Sequence, residues 1–419
     1  MINQHNPDNN AKYTFAGLGI APNILEVLDV LRFTVPTPIQ HQAIPIAIEG
    51  KDVVGIAQTG TGKSLAFGIP LIQRLMQSPN SRGLIILPTR ELAQQINETL
   101  LKIGQRFGLK TAVLIGGASM YQQINQLRHN PHVIIGTPGR INDHIKQKTL
   151  HLNNITILVL DEADAMFDMG FAPQIKQILQ LLPAPRQTML FSATMPDDII
   201  KIATRYMKLP VRVEIARQGT AAEKVEHELF FVKKDQKMAL LQKLLSEYKG
   251  SVLIFSRTKF GAKRICQNLY NKGFTSAEIH SNRSLGQRRQ ALEGFKSGRY
   301  RVLVATDIAS RGIDVKGIEL VINFDLPESP EDYVHRIGRT GRAGLLGKAI
   351  SFVGPEQKNK VRAIERLIRV AIPISPLPQL PIASYPQTPQ HQFTRPTPKK
   401  PFVYKNRYSP APYKKRFSR

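Results

Sequence analysis

At 419 residues the chain is too long for one ordinary domain and predicts two or three. Its 42% hydrophobic content can fill sizeable cores, no stretch approaches the ~20 apolar residues of a membrane helix, and the lone Cys266 excludes an internal disulfide or a cysteine-clustered metal site. A net charge of +27, with a pI near 10.2, points to a polyanionic partner, and with no basic amphipathic membrane helix in evidence nucleic acid is expected over an anionic membrane.

Residues 1–13 are polar, lack the apolar run of a signal peptide and are expected to be disordered, so the protein is expected in the cytoplasm. Short apolar runs at 53–57, 84–87, 112–115, 133–135, 157–160 and 189–191 then predict buried strands. Helical patterns separate them, as at 91–101 and 173–182. A second stretch repeats the plan with runs at 252–255, 302–305, 320–324 and 349–353. Apolar runs alternating with helices predict an α/β protein with two tandem parallel-sheet domains, helices on both faces, over 14–215 and 223–372. The small polar segment 216–222 between them is expected to be a flexible linker. From 373 to 419 a disordered tail is expected, rich in proline, basic and aromatic residues. Residues 376–419 carry nine Lys or Arg and no acid, which leaves 27 − 9 = +18 on the rest, so the body is basic too.

The segment 57–64, Ala-Gln-Thr-Gly-Thr-Gly-Lys-Ser, follows a predicted strand and opens a predicted helix. Thr59, Gly60 and Gly62 can bring backbone N–H groups to phosphate oxygens, Lys63 can reach the β- and γ-phosphates, and the Ser64 hydroxyl can hold Mg²⁺. Ala57 stands where the general phosphate-loop pattern has its first glycine, and a glycine-rich turn without function has the same composition. Asp161, Glu162, Ala163 and Asp164 directly follow an apolar strand, where open α/β sheets bind ligands. Asp161 suits a Mg²⁺ ligand and Glu162 a group that orients or deprotonates water; a capping acidic turn is the plainer alternative.

The run Asp161-Glu162-Ala163-Asp164 is the signature of the DEAD-box ATP-dependent RNA helicases of superfamily 2, and the chain resembles that family from about residue 15 to 353. The resemblance implies two RecA-like domains, with ATP and Mg²⁺ bound in the first. Phe33 and Pro36–Gln40 resemble the family's adenine-reading motif, with Phe33 on the adenine ring, Gln40 at its edge and Phe15 as the additional upstream aromatic. An amide can donate and accept at once, as the adenine edge requires. The family usually has glycine where this chain has Arg32. Ser192 and Thr194 resemble the motif that couples the ATP state to strand separation and that touches Asp164.

Three arginines, Arg336, Arg339 and Arg342, fall within seven residues after His335. By charge alone they are a solvated face or a phosphate-binding patch. The resemblance makes Arg339 and Arg342 arginine fingers, His335 a link between sites and Asp314 a ribose contact. It also makes Arg90, Gly117, Thr137, Gly139 and Arg140 in the first domain, and Arg257, Thr306 and Asp307 in the second, contacts to RNA. The pair Gln287-Arg288 continues that match, while Ser281 and Leu285 depart from it, standing where glycine and glutamine are usual. In the tail, Tyr404, Tyr408, Tyr413 and Phe417 alternate with Lys405, Arg407, Lys414, Lys415 and Arg416, a pattern that suits single-stranded RNA or a merely solubilising tail.

The expected function is therefore an ATP-dependent RNA helicase that reads RNA backbone with little sequence specificity, its cleft closed by ATP and RNA together. An ATP-driven RNA clamp and a DNA helicase are the alternatives. The short N-terminus and simple tail resemble bacterial members of the RhlE type, for which ribosome-assembly or RNA-decay factors are the implied protein partners.

Overall fold

A computed structural model of the protein describes residues 14–58, 60–215, 225–307, 317–341 and 347–380. The expected disordered start, the linker 216–222, the tail from 381 and the site residues Thr59, Asp314 and Arg342 lie outside the described residues.

The first domain holds seven strands: β1 (Val53–Ile56), β2 (Arg82–Ile86), β3 (Thr111–Leu114), β4 (Val133–Gly136), β5 (Ile155–Leu160), β6 (Gln187–Ser192) and β7 (Val211–Glu214). Their order across the sheet is β3-β4-β2-β5-β6-β1-β7, and every pairing is parallel. The helices are α1 (Pro22–Val30), α2 (Pro38–Ile48), α3 (Lys63–Met76), α4 (Arg90–Gly104), α5 (Met120–Arg128), α6 (Pro138–Lys146), α7 (Ala163–Asp168), α8 (Ala172–Leu181) and α9 (Asp197–Tyr206). Successive strand residues part to opposite faces. Ile85, Val159 and Phe191 join Ile39, Phe67 and Leu100 in one core, whereas Leu84, Leu158 and Leu190 join Ile141, Ile175 and Ile202 in the other. Apolar residues at every strand position are what a sheet covered on both faces demands.

The second domain repeats the arrangement with β8 (Val225–Phe231), α10 (Lys237–Glu247), β9 (Val252–Phe255), α11 (Lys259–Asn271), β10 (Ser276–Ile279), α12 (Leu285–Lys296), β11 (Val302–Ala305), β12 (Leu320–Asn323), α13 (Pro330–Ile337), β13 (Gly347–Val353) and α14 (Lys358–Ile368). Its strand order is β10-β11-β9-β12-β13-β8, again parallel throughout.

Strands β7, β8 and β10 are additional to the sequence reading. All three contain charged residues: β7 is an edge strand with exposed Arg212 and Glu214, β8 alternates Glu226 and Glu228 with buried Val225 and Leu229, and β10 buries Glu278. The expected tail boundary also moves. Leu229 donates its N–H to the Pro373 carbonyl at 3.0 Å and accepts from Ser375 N–H at 2.9 Å, so the chain beyond α14 pairs with β8. Ile372 is buried and Leu380 packs against the second domain's core. Residues 373–380, expected to open the tail, thus belong to the second domain.

Candidate active site and nucleic-acid interface

Because all strands of each sheet are parallel, the loops leaving their carboxyl ends share one edge, where open α/β sheets bind ligands. The first sheet's order groups these loops. Strands β5, β6 and β1 are adjacent and carry the acidic run, the Ser-Ala-Thr run and the phosphate loop. Strands β3, β4 and β2 are adjacent and carry the basic loops.

The phosphate loop turns through Gly60 and Gly62, both left-handed at φ 87° and 91°. Gly62 caps α3, and a Cβ there would meet Gln40 Nε2 at 2.3 Å, so conformation and close packing both require glycine. Ala57 lies outside the left-handed region, which is why alanine serves where the general pattern has glycine. Lys63 is buried at the first turn of α3, and its Nζ donates to the Ala57 carbonyl at 3.0 Å, folded back over the loop. Ser64 follows, half-buried at the helix N-terminus.

Three buried carboxylates follow β5, and two of them, Asp161 and Asp164, feel this lysine's charge. Glu162 sits at φ 50°, a left-handed conformation that costs a non-glycine residue about 1–2 kcal/mol and turns the chain sharply from β5 into α7. Asp161 accepts from Glu162 N–H at 2.9 Å. Burial pushes the Asp161 carboxyl up to about 6, with Lys63 pulling it back down and Glu162 and Asp164 adding to the rise. Asp164 has the opposite fate. Burial presses it upward, but Lys63, His335 of the second domain and hydrogen bonds from Ala165 and Thr194 hold it below the ordinary carboxylate range. Its Oδ2 accepts from Ala193 N–H at 3.0 Å, Thr194 N–H at 2.9 Å and Thr194 Oγ1 at 3.0 Å. Ser192 completes the link: its Oγ accepts from Asp164 N–H at 3.1 Å, and its carbonyl accepts from Ala57 N–H at 3.0 Å. Phosphate loop, acidic run and Ser-Ala-Thr run are thus one hydrogen-bonded unit.

In the segment expected to read adenine, Gln40 is buried and joins two segments. Its Oε1 accepts from Thr37 N–H and its Nε2 donates to the Gly62 carbonyl, both at 2.9 Å. The motif therefore touches the phosphate loop directly. Phe33 is 38% exposed and available to stack, whereas Phe15 is buried in the first core, where packing accounts for it. Arg32 stands at φ 61°, with its N–H on the Asp29 carbonyl and the Phe33 N–H on the Leu28 carbonyl, a left-handed helix stop.

In the second domain the arginine run divides. Arg336 is 2% exposed; its Nε and Nη2 pair with the two Asp307 carboxylate oxygens at 2.5 and 2.8 Å, and its Nη1 donates to Asn323 Oδ1 and the Asp325 carbonyl. It lies over the Phe255 ring at 4.9 Å, so it braces the loops after β9, β11 and β12. Arg339 is buried one turn on, and His335 is half-buried close enough to lower Asp164. Asp307 spends both oxygens on Arg336, and neighbouring Thr306 donates its N–H to the Ile279 carbonyl at 3.4 Å. Arg257 is half-exposed and pairs with Glu328 at 3.2 Å.

The first domain's basic loops converge. The Arg90 guanidinium lies over Gly117, at φ 76°, where a Cβ would meet it at 2.3 Å. Arg140 donates to the Ala118 carbonyl at 3.1 Å, Thr137 leads into α6, and at Gly139 a Cβ would meet nothing within 4 Å. Facing these loops across the domain seam, Arg288 of α12 donates to Glu91 of α4 at 2.8 Å, and both side chains are more than nine-tenths buried. Burial and nearby Arg90 weigh against the Arg288 charge, and Glu91 supports it. Leu285 packs against the first domain's core from the same helix. Gln287 instead closes a capping box with Ser284, and Ser281 is exposed. His280 is buried with no hydrogen bond to either ring nitrogen, 3.5 Å from Glu278. Cys266 is half-buried against the second core, its thiol pushed up by burial.

Two RecA-like domains with a phosphate loop and acidic cluster on one, and arginines on the other, define a two-domain ATPase of the helicase class. Residues 37–202 match the DEAD/DEAH box helicase family and residues 236–344 the helicase conserved C-terminal domain. Over 355 residues the chain is 43% identical to the DEAD-box ATP-dependent RNA helicase CshA of Bacillus subtilis strain 168, covering 84% of this chain and 72% of that protein. Mss116p bound to ssRNA and AMP-PNP superposes with a TM-score of 0.80 at 28% identity, covering 89% of this chain and 81% of that one. A Saccharomyces cerevisiae Dbp5 variant bound to RNA and ADP BeF3 gives 0.76 at 30% identity, covering 87% and 96%. The chain belongs to the DEAD-box ATP-dependent RNA helicases. The same Dbp5 variant in complex with Nup159, Gle1, IP6 and ADP superposes at only 0.58, covering 86% and 96%. One sequence in two states gives two scores, so the domain arrangement described here is closer to that of the RNA-bound protein.

Proposed function

We propose that ATP binds between the two domains and that its hydrolysis is gated by RNA across the same cleft. The observation that carries this reading is Asp164, which accepts three hydrogen bonds from the Ser-Ala-Thr run while sensing the charge of His335 in the other domain. A group tied to both domains can report closure to the phosphate loop.

In this reading the Gly60–Gly62 backbone and Lys63 hold the triphosphate, Phe33 stacks on adenine and Gln40 reads its edge. Thr59 completes the loop and Asp314 meets the ribose. The donor set suits magnesium. Asp161 is a buried carboxylate pushed up by that burial, Ser64 offers a hydroxyl in the first turn of α3, and no cluster of three or more His, Cys, Asp or Glu among the described residues forms a metal cage of its own. Such a set holds Mg²⁺ together with substrate phosphates. Bound there, Mg²⁺ would neutralise charge on the β- and γ-phosphates. Glu162 orients and deprotonates the attacking water, and Arg339 with Arg342 meets the charge that develops on the γ-phosphate. Fingers of this kind contribute ~10³–10⁵ in rate in other NTPases.

Arg90, Gly117, Thr137, Gly139 and Arg140 would form the first domain's RNA track, and Arg257 with Thr306 the second's; Asp307 would act through Arg336. The vacancy beside Gly139 supports close approach of an RNA backbone. Relatives named CshA at 43% identity support a CshA-like bacterial branch over the RhlE-type branch expected from the termini. A cytoplasmic location goes with that reading.

The test is phosphate release with and without RNA. RNA should stimulate it many-fold, and Glu162→Gln should abolish it while leaving ATP bound. Parent-like hydrolysis by that variant would refute the assignment of Glu162. Stimulation by a DNA duplex equal to that by RNA of the same sequence would favour the DNA-helicase alternative.

A further inference from the structure

The amino-terminal edge of the first sheet lies at the opposite end of the strands from both the phosphate loop and the basic RNA loops, and it carries two adjoining hollows. One, of about 340 Å³, is lined by Arg82, Lys110, His132 and the amides of Asn80, Asn130 and Asn154. None of its lining residues is acidic. The other, of about 260 Å³, is lined by Ile72, Leu75, Met76, Phe107 and Leu109. Pro79 and His132 belong to both, so the basic hollow opens onto the apolar one.

The basic hollow is held in shape. Arg82 opens β2, and its Nη2 donates to Asn130 Oδ1 at 3.1 Å. Asn130 holds a left-handed φ of 50°, so the loop that aims this amide carries backbone strain. Lys110 N–H donates to His132 Nδ1 at 3.0 Å, and His132 N–H donates to the Lys110 carbonyl at 2.9 Å. An accepting Nδ1 leaves the proton on Nε2, so the ring is a fixed donor. Burial, then Lys110 and Arg82, holds this histidine below the ordinary range, as expected of a ring among cations. On the apolar side Met76 is 41% exposed, an uncovered and adaptable thioether.

We propose that this double hollow binds an acidic peptide segment of a partner protein, one large apolar side chain entering between Met76 and Phe107 while flanking carboxylates meet Arg82, Lys110 and His132. Charge complementarity selects an anion, and the adjoining apolar hollow selects a peptide over a sugar–phosphate backbone, which offers no side chain to fill it. The site leaves the cleft free, so a partner could hold the enzyme without competing with ATP or RNA.

The full-length protein with ¹³C-methyl methionine provides the test, the Met76 signal being assigned by Met76→Leu. The probe is a short peptide with one phenylalanine flanked by glutamates. It should shift the Met76 signal, and binding should weaken about tenfold in an Arg82→Ala/Lys110→Ala variant, the loss expected for charge-assisted contacts. Replacing the peptide's phenylalanine by alanine should weaken it similarly. The double variant should keep parental RNA-stimulated ATPase activity, which also reports that it folds. An unmoved Met76 signal, or equal affinity of the double variant, would overturn the proposal. So would a Met76 shift produced by single-stranded poly(U) and lost in the same double variant, which would make the hollow an RNA site.

Discussion

Glu91 at the start of α4 and Arg288 on α12 pair at 2.8 Å across the seam between the two domains, with both side chains buried. Two further atoms of this pair, Glu91 Oε1 and Arg288 Nε, have no hydrogen-bond partner. A buried ion pair gains little over apolar packing, but removing one partner strands the other at a cost of about 3–5 kcal/mol. Here the stranded charge has an escape, because opening the seam returns it to water. The pair therefore acts as a condition on closure. Arg288→Ala should shift dyes placed on the two domains toward the open distance and weaken RNA binding in the presence of a non-hydrolysed ATP analogue by about tenfold or more. Arg288→Gln with Glu91→Gln, which restores a neutral hydrogen bond, should recover part of the loss. Additive losses in that double variant would show that the residues act independently.

The pair also marks the limit of sequence reading. Continuous apolar runs were enough to give the central strands of both sheets, because strands buried on two faces must be apolar throughout. The phosphate loop and acidic run were legible because their chemistry is local: glycines, a lysine and carboxylates lie within a few residues of a strand end. Glu91 and Arg288 are separated by 197 positions, and Arg288 read as part of the RNA-contacting match rather than as the partner of a carboxylate in the other domain. Arg336 was legible as a cation but not as a brace, since its role depends on Asp307, Asn323 and Phe255 arriving from three other strands. Strand β10 escaped because its buried Glu278 is balanced by Arg283, a compensation no apolar pattern records.

Leu285 shares the seam with Arg288 but contributes apolar area rather than charge, packing against the first domain's core. Burying part of a leucine in place of an amide favours closure by about 1 kcal/mol, or roughly fivefold in the closed-to-open ratio. Leu285→Gln should lower that ratio by this factor, read from the same dye pair, and should raise the RNA concentration needed for half-maximal ATPase activity with kcat little changed. Unaltered closure would mean that the leucine only fills space within its own domain.

Arg32 occupies a left-handed position that closes α1 and launches Phe33. Glycine reaches this conformation without the penalty that a Cβ imposes, about 1 kcal/mol. Arg32→Gly should therefore raise the thermal midpoint, whereas Arg32→Ala, which keeps the Cβ, should not. The comparison isolates the backbone from the lost guanidinium. Equal effects of the two substitutions would assign the change to the side chain.

Asp161 sets stability against function. Its carboxyl is buried and pushed up to about 6 from an ordinary 3.8, so the nucleotide-free fold keeps its proton to a higher pH than the unfolded chain does. The sign follows from linkage. Below pH ~4 the group is protonated in folded and unfolded chains alike and costs nothing. Between pH ~4 and ~6 the unfolded chain has released the proton while the fold retains it, so stability falls as pH rises. Above pH ~6 the penalty is complete, on the order of 2–3 kcal/mol. Asp161→Asn removes the titration. Without nucleotide the variant should melt higher than the parent at pH 7.5, and the two should converge toward pH 4. The same change should reduce Mg²⁺-dependent ATPase activity to background, because a neutral amide cannot offset the cation's charge. In the parent, affinity for a Mg²⁺–nucleotide complex should fall as pH drops below about 6, where protons compete for the carboxylate. A melting advantage that does not change with pH would show that the carboxyl titrates alike in the folded and unfolded chains, and the tension between its burial and its role would then be absent.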